Sequence, residues 1–237
     1  MTAPSIAAWT WPLSLSRLVL SLTILLGSLA LAAVPARAAT PTPAEAYVDQ
    51  ITDKAITILS DKTLKPEGRY EAFHTLILAN IDLDRIAAFA LGRYAGAMRA
   101  SGRYDEYKTL FGDYIARVYA SRLSGYSGEK LKILKSMAHG SSDTVVFSTV
   151  QPGAAGGDPI PVNWRVTEKD GAQKILDVQI VGAWMSIEQQ SQFSSIIANN
   201  GRDVTKLIDY LREEVGAPLE GGANPVPGPP PKQTAPQ

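Results

Sequence analysis

Apolar residues recur at helical spacing through the first half of the chain after residue 40. Residues 42–45 (Thr-Pro-Ala-Glu) form a capping box with proline at the first helical position, which predicts that a helix begins here. Pro66 predicts the start of a second helix, and Asp82 is expected to cap a third helix that ends at Gly92. A broad apolar stripe then predicts a fourth helix over residues 104–123.

The period of the apolar positions changes from 3.6 to 2 after Lys130. Short strands are predicted around residues 131–133, 143–150, 160–167 and 174–181. The clearest is 160–167, where apolar residues alternate with Pro, Asn, Arg and Thr, a pattern typical of a sheet with one wet and one dry face. An Asp-Gly pair at 170–171 indicates a tight turn, so the strands are expected to form an antiparallel meander.

Two further helices are predicted near the end of the folded region, over residues 186–199 and 202–215, with a break at Gly201. Helices followed by consecutive antiparallel strands predict an α+β fold. We expect the helices to wrap the dry face of the sheet into a cone. The patterning leaves open whether the interior of the cone is a filled core or a cavity.

The first 38 residues have the pattern of a signal peptide. A single charge, Arg17, precedes an apolar run over residues 18–34, and Ala36 and Ala38 provide the small-residue pattern that signal peptidase reads. We therefore expect export and cleavage near Ala38. An uncleaved membrane anchor remains the alternative, since a run of roughly 17 residues is at the lower limit for spanning a bilayer.

Composition narrows the choice of function. Residues 216–237 are crowded with Gly, Pro and Ala and predict a disordered tail, which leaves residues 39–215 as one domain. The chain has a formal net charge of 0 and no basic run, which argues against nucleic acid as a partner. It has no cysteine, which excludes thiol catalysis and thiolate metal sites. The two histidines, His74 and His139, lack metal-ligand spacing, so no metal site is expected.

One carboxylate, Asp177, raises the question of catalysis. It lies in the middle of the predicted strand 174–181. On an interior face its pKa could be raised, and it could act as a general base, as in enzymes of the ketosteroid-isomerase type. We favour the alternative that Asp177 lies on the wet face, paired with Lys174 or Arg165, because the alternate positions of this strand are apolar and better suited to the interior.

Several segments, in order along the chain, resemble the MlaC (toluene-tolerance) family of phospholipid-binding proteins. Residues 82–94 (DLDRIAAFALGRY) resemble its D-x-x-R-I-A-x-x-x-L-G-R-Y segment, and residues 119–128 (YASRLSGYSG) resemble its next signature. Residues 161–166 (PVNWRV) stand where the family carries a P-V-x-Y/W-R strand. Residues 174–182 (KILDVQIVG) match its K-x-x-D-V-x-V-x-G strand, and residues 191–208 match its closing helices at S-Q-F-S-S-I-I, Gly201 and Leu207-Ile208.

The resemblance implies a small α+β cone that holds phospholipid acyl chains inside, with the headgroup outside. It implies a periplasmic carrier, not an enzyme, which shuttles lipid between an outer-membrane lipoprotein complex and an inner-membrane ABC transporter with an MCE-type subunit. No cofactor is implied. One departure is the triplet Glu188-Gln189-Gln190, where the family commonly has Asn-Tyr-Arg, and it leaves open a neighbouring subgroup associated with hopanoid synthesis.

We expect the acyl chains to contact the dry strand face and the apolar faces of two helices. The predicted lipid-binding residues are Phe111, Tyr114, Ile115, Val162, Trp164, Val178, Ile180, Phe193 and Ile197. Two other functions remain alternatives: a cone-fold enzyme that uses Asp177 as a general base on a steroid-like or hopanoid substrate, and an adaptor protein whose apolar residues form only a core.

Overall fold

The structure, a computed structural model, describes residues 40–123, 130–152, 158–169 and 171–217. The predicted signal peptide with its cleavage site, and almost all of the predicted tail, lie outside the described residues. Residues from Pro41 onward form a unit of their own, and the following description concerns that unit. None of the helices in the described ranges combines the length and the apolar character that crossing a bilayer requires.

Seven α-helices are present in the described residues: α1 (Pro43–Ser60), α2 (Pro66–Asn80), α3 (Leu83–Leu91), α4 (Ala95–Ala100), α5 (Tyr104–Leu123), α6 (Met185–Asn199) and α7 (Thr205–Gly216). The predicted capping box is confirmed, because the Thr42 hydroxyl accepts the Glu45 N–H at 3.2 Å and the Glu45 carboxylate accepts the Thr42 N–H at 2.9 Å. Asp82 caps α3 as predicted. The predicted start of the last helix at residue 202 is wrong, because Asp203 instead accepts the Thr205 N–H and α7 begins there.

The end of α3 depends on a glycine. Gly92 has a φ of +50°, a conformation that residues with a Cβ rarely adopt. The amide of Gln190 on α6 donates to the Phe89 carbonyl at 2.6 Å, and a Cβ on Gly92 would lie only 2.9 Å from that amide nitrogen. Gly92 thus allows α6 to satisfy a carbonyl at the end of α3. The short 3-10 turn that follows and helix α4 were not predicted.

Five strands form one antiparallel sheet in the order β1-β2-β3-β4-β5, with the bounds β1 (Lys130–His139), β2 (Asp143–Gln151), β3 (Ile160–Lys169), β4 (Ala172–Ile180) and β5 (Ala183–Trp184). The predicted α+β fold with an antiparallel meander is therefore confirmed. The two-residue strand β5 was not predicted, and it pairs only with Gln179 and Ile180 at the end of β4.

The two faces of the sheet have different coverings. Cross-strand register places Trp164 beside Val146 and Val178 on one face, and helix α1 packs on the β1–β3 part of this face. The opposite face carries Asp143, which lies between Arg165 at 2.6 Å and Arg85 of α3 at 3.6 Å. These ion pairs connect α3 to strands β2 and β3.

A separate aromatic core joins the helices. Tyr107, Phe111 and Tyr114 of α5 contact Phe193 of α6, with the Phe111 and Phe193 ring centroids 5.7 Å apart in an edge-on arrangement. The Tyr107 hydroxyl donates to the Ala87 carbonyl of α3 at 3.0 Å, so its one polar atom is satisfied inside the core. Side chains of α4 and α7 complete this cluster. Helices α3 to α7 thus share a core of their own, whereas α1 packs on the sheet.

Candidate functional site

A cavity of about 210 Å³ lies where α3, α5 and α6 meet strand β4. One part of its wall is apolar. The apolar lining residues are Ile81, Ile86, Phe111, Ile115, Val118, Ile175, Leu176, Val178 and Met185. This lining offers a surface for hydrocarbon and contains no nucleophile.

The other part of the wall is polar and comes mainly from α6. The polar lining residues are Tyr119, Asp177, Ser186, Glu188, Gln189, Ser191 and Gln192. Among the described residues that line the cavity, none is Lys, Arg or His. The wall therefore combines hydrocarbon on one side with hydroxyl, amide and carboxyl groups on the other.

The pairing of strand β4 explains why the cavity forms here. At one end of β4, Ile175 forms a bridge with Ile81, and its carbonyl accepts the Asp82 N–H at 3.0 Å. At the other end, β5 pairs with Gln179 and Ile180 only. Strand β3 pairs with one edge of β4 throughout, but on the other edge the stretch between these two pairings has no strand beside it in the described part of the chain. The cavity with α6 lies along this stretch.

Asp177 lies on the cavity wall and not where the sequence placed it. Its carboxylate accepts the backbone N–H of Val178 at 2.9 Å and of Ser186 at 3.1 Å, and it also accepts the Ser186 hydroxyl. The expected pairing with Lys174 or Arg165 is wrong, because Lys174 bonds to the Ala79 carbonyl and Arg165 to Asp143. Asp177 instead caps the first turn of α6, whose orphan N–H groups need an acceptor.

The surroundings of Asp177 also shift its pKa. Burial is the largest effect and raises the pKa of this carboxyl above its ordinary value, although the donors from Ser186 and Val178 oppose the rise. A raised pKa on a cavity wall is one feature of a general base. All three donors are nevertheless supplied by the protein itself, which is the arrangement of a structural cap.

Two glutamines of α6 have their amides fixed by hydrogen bonds. The Gln189 amide donates to the Gln192 side-chain carbonyl at 2.9 Å, and the Gln192 amide donates to the Tyr210 hydroxyl of α7 at 2.8 Å. This chain of bonds orients the polar wall. Within the described residues, the carboxylate of Glu188 has no hydrogen bond or ion pair.

The structure separates the nine predicted lipid-binding residues into three groups. Phe111, Ile115 and Val178 line the cavity. The other helical residues belong to the buried aromatic core between the helices: Tyr114, Phe193 and Ile197. The remaining strand residues share the sheet face of Val178 and do not line this cavity: Val162, Trp164 and Ile180. Trp164 packs in the cluster under α1, and its indole donates to Ser148 at 3.0 Å.

Several lining residues were not among those predicted. Ile86 of α3 and Met185 and Gln189 of α6 contribute to the wall. In the sequence, Leu83, Ile86, Ala87 and Ala90 share one face of α3, and this spacing is a usable signal for Ile86. The first two turns of α6 (MSIEQQS) have no such pattern, because they are mostly polar and their position depends on the cap from Asp177.

Neither histidine lines this cavity. His74 of α2 lies 2.8 Å from Asp113 of α5, and His139 is exposed at the end of β1. Within the described ranges, no group of three or more His, Asp or Glu side chains is arranged to hold a metal ion.

Comparison with known proteins identifies the family. Residues 49–213 match the family model described as MlaC protein. The chain belongs to the MlaC family. An MlaC relative from Haemophilus influenzae, described as the binding protein of an intermembrane phospholipid transport system, is 26% identical over 145 residues, which cover 60% of this chain and 66%, just under two thirds, of the relative.

A solved structure shares the fold of this MlaC-family chain. It is the phospholipid-binding protein from Ralstonia solanacearum in complex with a phospholipid. The TM-score is 0.63 at 24% sequence identity, and the match covers 74% of this chain and 98% of the other. The shared fold therefore extends over nearly all of that chain and over about three quarters of this one.

Proposed function

We propose that the chain is a lipid carrier that holds phospholipid acyl chains in the cavity between α3, α5, α6 and β4. The observation that carries this proposal is an apolar-walled cavity in a chain of the MlaC family. The relatives support it: one is described as a phospholipid transport binding protein, and another was solved with a phospholipid. The hopanoid-associated subgroup suggested by residues 188–190 differs only in the lipid it would carry.

The energetics of carrying lipid agree with this wall. Exposing an acyl chain to water costs about 0.8 kcal/mol per methylene, so two chains with roughly 30 methylenes cost on the order of 20 kcal/mol. A carrier must replace most of that water with apolar contact. Ile86, Phe111, Ile115, Leu176 and Val178 provide such contact.

The same proposal covers location and partners. The signal-peptide pattern of residues 1–38 supports export to the periplasm, with residues 39–215 as the carrier domain and 216–237 as a tail. We infer that the carrier exchanges lipid with an inner-membrane ABC transporter carrying an MCE-type subunit and with an outer-membrane lipoprotein complex. We infer a carrier and not an enzyme, since Asp177 is occupied by three donors of the protein.

The substitution Val178→Arg tests the cavity. Val178 lines the apolar wall, so an arginine there would bury a charge or fill the space for hydrocarbon. We expect the exported variant to lose at least about nine tenths of its co-purifying phospholipid, equal to about 1.4 kcal/mol or more of binding free energy. Lipid is measured by native mass spectrometry and by solvent extraction of the purified protein.

The matched control is Ile187→Arg. Ile187 lies on α6 but is 53% exposed and does not line the cavity, so this variant adds the same charge outside the site and should keep its lipid. Circular dichroism establishes that both variants are folded. A folded Val178→Arg protein with undiminished lipid would show that the acyl chains lie elsewhere.

A further inference from the structure

Strand β1 lies at the edge of the sheet and carries three exposed lysines. Lys130, Lys132 and Lys135 form what we call the lysine row. The sequence of this strand, KLKILKSMAH, contains no Asp or Glu. A chain with a formal net charge of 0 thus concentrates positive charge along one edge of its sheet.

A β-bulge at Leu134 brings the lysine row to one face of the sheet. Strict alternation would place Lys135 on the face opposite to Lys132, because successive side chains of a strand point to opposite faces. The register of β1 with β2 shifts at the bulge, so that Lys132 lies across from Thr149. Lys135 lies across from Phe147, which shares the sheet face of Thr149, and its Nζ atom is 5.3 Å from the centroid of the Phe147 ring.

This face lies opposite to α1 and continues to the cavity. Ile133, which alternates with the lysines, packs in the cluster under α1, so the lysines point away from that helix. Met137 of β1 lies across from Val145 of β2 on the face of the lysine row. The line of cross-strand partners continues through Arg165 of β3 to Asp177 of β4, which lines the cavity. One sheet face therefore carries the lysine row at its edge and part of the cavity wall at β4.

Two large apolar side chains are exposed beside the lysine row. Leu134 at the bulge is 55% exposed, and Met137 is 54% exposed. Lysines and bulges on an edge strand commonly prevent pairing with another strand. Exposed Leu and Met side chains favour association instead, so protection of the edge does not explain their position. Basic side chains interspersed with exposed apolar ones are typical of a surface that binds at a lipid interface.

We propose that this face of β1 binds the surface of a bilayer that contains anionic lipid, with the lysine row against the headgroups and with Leu134 and Met137 at the boundary of the acyl chains. The inference goes beyond the proposed carrier function, because it concerns where the protein contacts a membrane and not what the cavity holds. A broad anionic surface suits the lysine row better than an acidic strand of a partner protein does, because the bulge and the lysines hinder pairing along the edge of β1.

Sedimentation with vesicles tests this proposal. The exported protein is incubated with vesicles of phosphatidylcholine alone and with vesicles of equal parts phosphatidylcholine and phosphatidylglycerol. We expect at least about tenfold tighter binding to the anionic vesicles, which high salt should largely abolish because it screens the charges. Lys132→Gln combined with Lys135→Gln should weaken binding to the anionic vesicles about 25-fold, since each lysine near such a surface contributes about fivefold.

Lys62→Gln combined with Lys206→Gln is the matched control. Both lysines are exposed and lie outside β1 and β2, so the same charge is removed elsewhere and binding should change by less than about twofold. Both double variants should keep their co-purifying lipid, because none of the four lysines lines the cavity. Circular dichroism establishes that the variants are folded.

The apolar side chains need a variant of their own. Leu134→Ser combined with Met137→Ser should weaken vesicle binding at low and at high salt, since burial of apolar surface is not screened. Equal binding of the unmodified protein to both kinds of vesicle, an equal loss in both lysine variants, or no loss in the apolar variant would overturn the inference. Any of these results with co-purifying lipid retained would leave the carrier function intact, whereas an unmodified protein that holds no lipid would contradict the carrier function itself.

Discussion

Two aspartates of the sheet show how surroundings decide what a carboxyl group does. Burial alone would raise the pKa of Asp143, but hydrogen bonds from Thr167 and Arg165 and the charges of Arg165 and Arg85 bring it below its ordinary value. Asp177 has no cation bonded to it, so burial prevails and its pKa is raised. Ionised Asp143 therefore stabilises the folded chain, whereas ionisation of Asp177 costs stability. The two groups have opposite effects on stability as the pH changes.

Asp143→Asn should cost more stability at neutral pH than in acid. The change leaves Arg85 and Arg165 without their buried partner, which we expect to lower the free energy of unfolding by about 1–3 kcal/mol, since both arginines are partly exposed. The depressed pKa means that the contribution of Asp143 is present above about pH 4 and is lost as the pH falls through the folded-state pKa.

Urea unfolding at pH 7 and pH 3 measures how much the free energy of unfolding falls in Asp143→Asn at each pH. Asp49→Asn is the control, because Asp49 is exposed on α1 and forms no ion pair with the described residues. A loss of stability for Asp143→Asn that is as large at pH 3 as at pH 7 would contradict the charge-pair explanation.

Local signals predicted most elements, and they failed where an element depends on distant residues. Thr42 and Asp82 mark helix starts through hydrogen bonds within one turn, and Pro66 marks one through its fixed φ at the first helical position. The alternation over residues 160–167 predicts the two faces of β3. The two-residue β5 and the bridge at Ile81 have no periodic pattern of their own. They define the open stretch of β4, so the position of the cavity could not be predicted from the dry-face pattern.

Thr42 is the N-cap of α1 and should contribute to the stability of the fold. Thr42→Ala removes the hydroxyl that accepts the Glu45 N–H and that also contacts the Ser136 hydroxyl of β1 at 3.0 Å. We expect the free energy of unfolding to fall by about 1 kcal/mol, the usual value of an N-cap. Urea unfolding is the measurement, with Thr57→Ala on the same helix as control.

Thr57 is an exposed residue inside α1 whose hydroxyl bonds back to the Asp53 carbonyl, so its replacement by alanine should leave stability unchanged or slightly raised. Equal losses in the two variants would mean that the capping box contributes nothing beyond the side chain removed.

Most of the large aromatic side chains of the unit form the core between the helices and do not line the cavity. Tyr107, Tyr114 and Phe193 fill the space between helices. Among the described aromatic residues of this cluster, only Phe111 also lines the cavity. Composition does not predict which aromatic residues fill the core and which line the cavity, because both environments need apolar surface. At about 210 Å³ the cavity is smaller than the roughly 300–1,000 Å³ of typical ligand pockets, so its walls must move apart to hold two acyl chains.

Such a cavity makes the stability of the unit depend on its ligand. A lipid that binds the folded chain alone raises its free energy of unfolding, by about 2.7 kcal/mol when free lipid is at a hundred times the dissociation constant. A domain of this size gains about 2–4 °C per kcal/mol, so solvent extraction should lower the melting temperature by about 5–10 °C, and reloading with phospholipid should restore it. Val178→Arg, which should hold no lipid, should melt at the same temperature before and after extraction. If complete delipidation left the melting temperature of the unmodified protein unchanged, the lipid would be bound outside the folded interior and the cavity would not be its site.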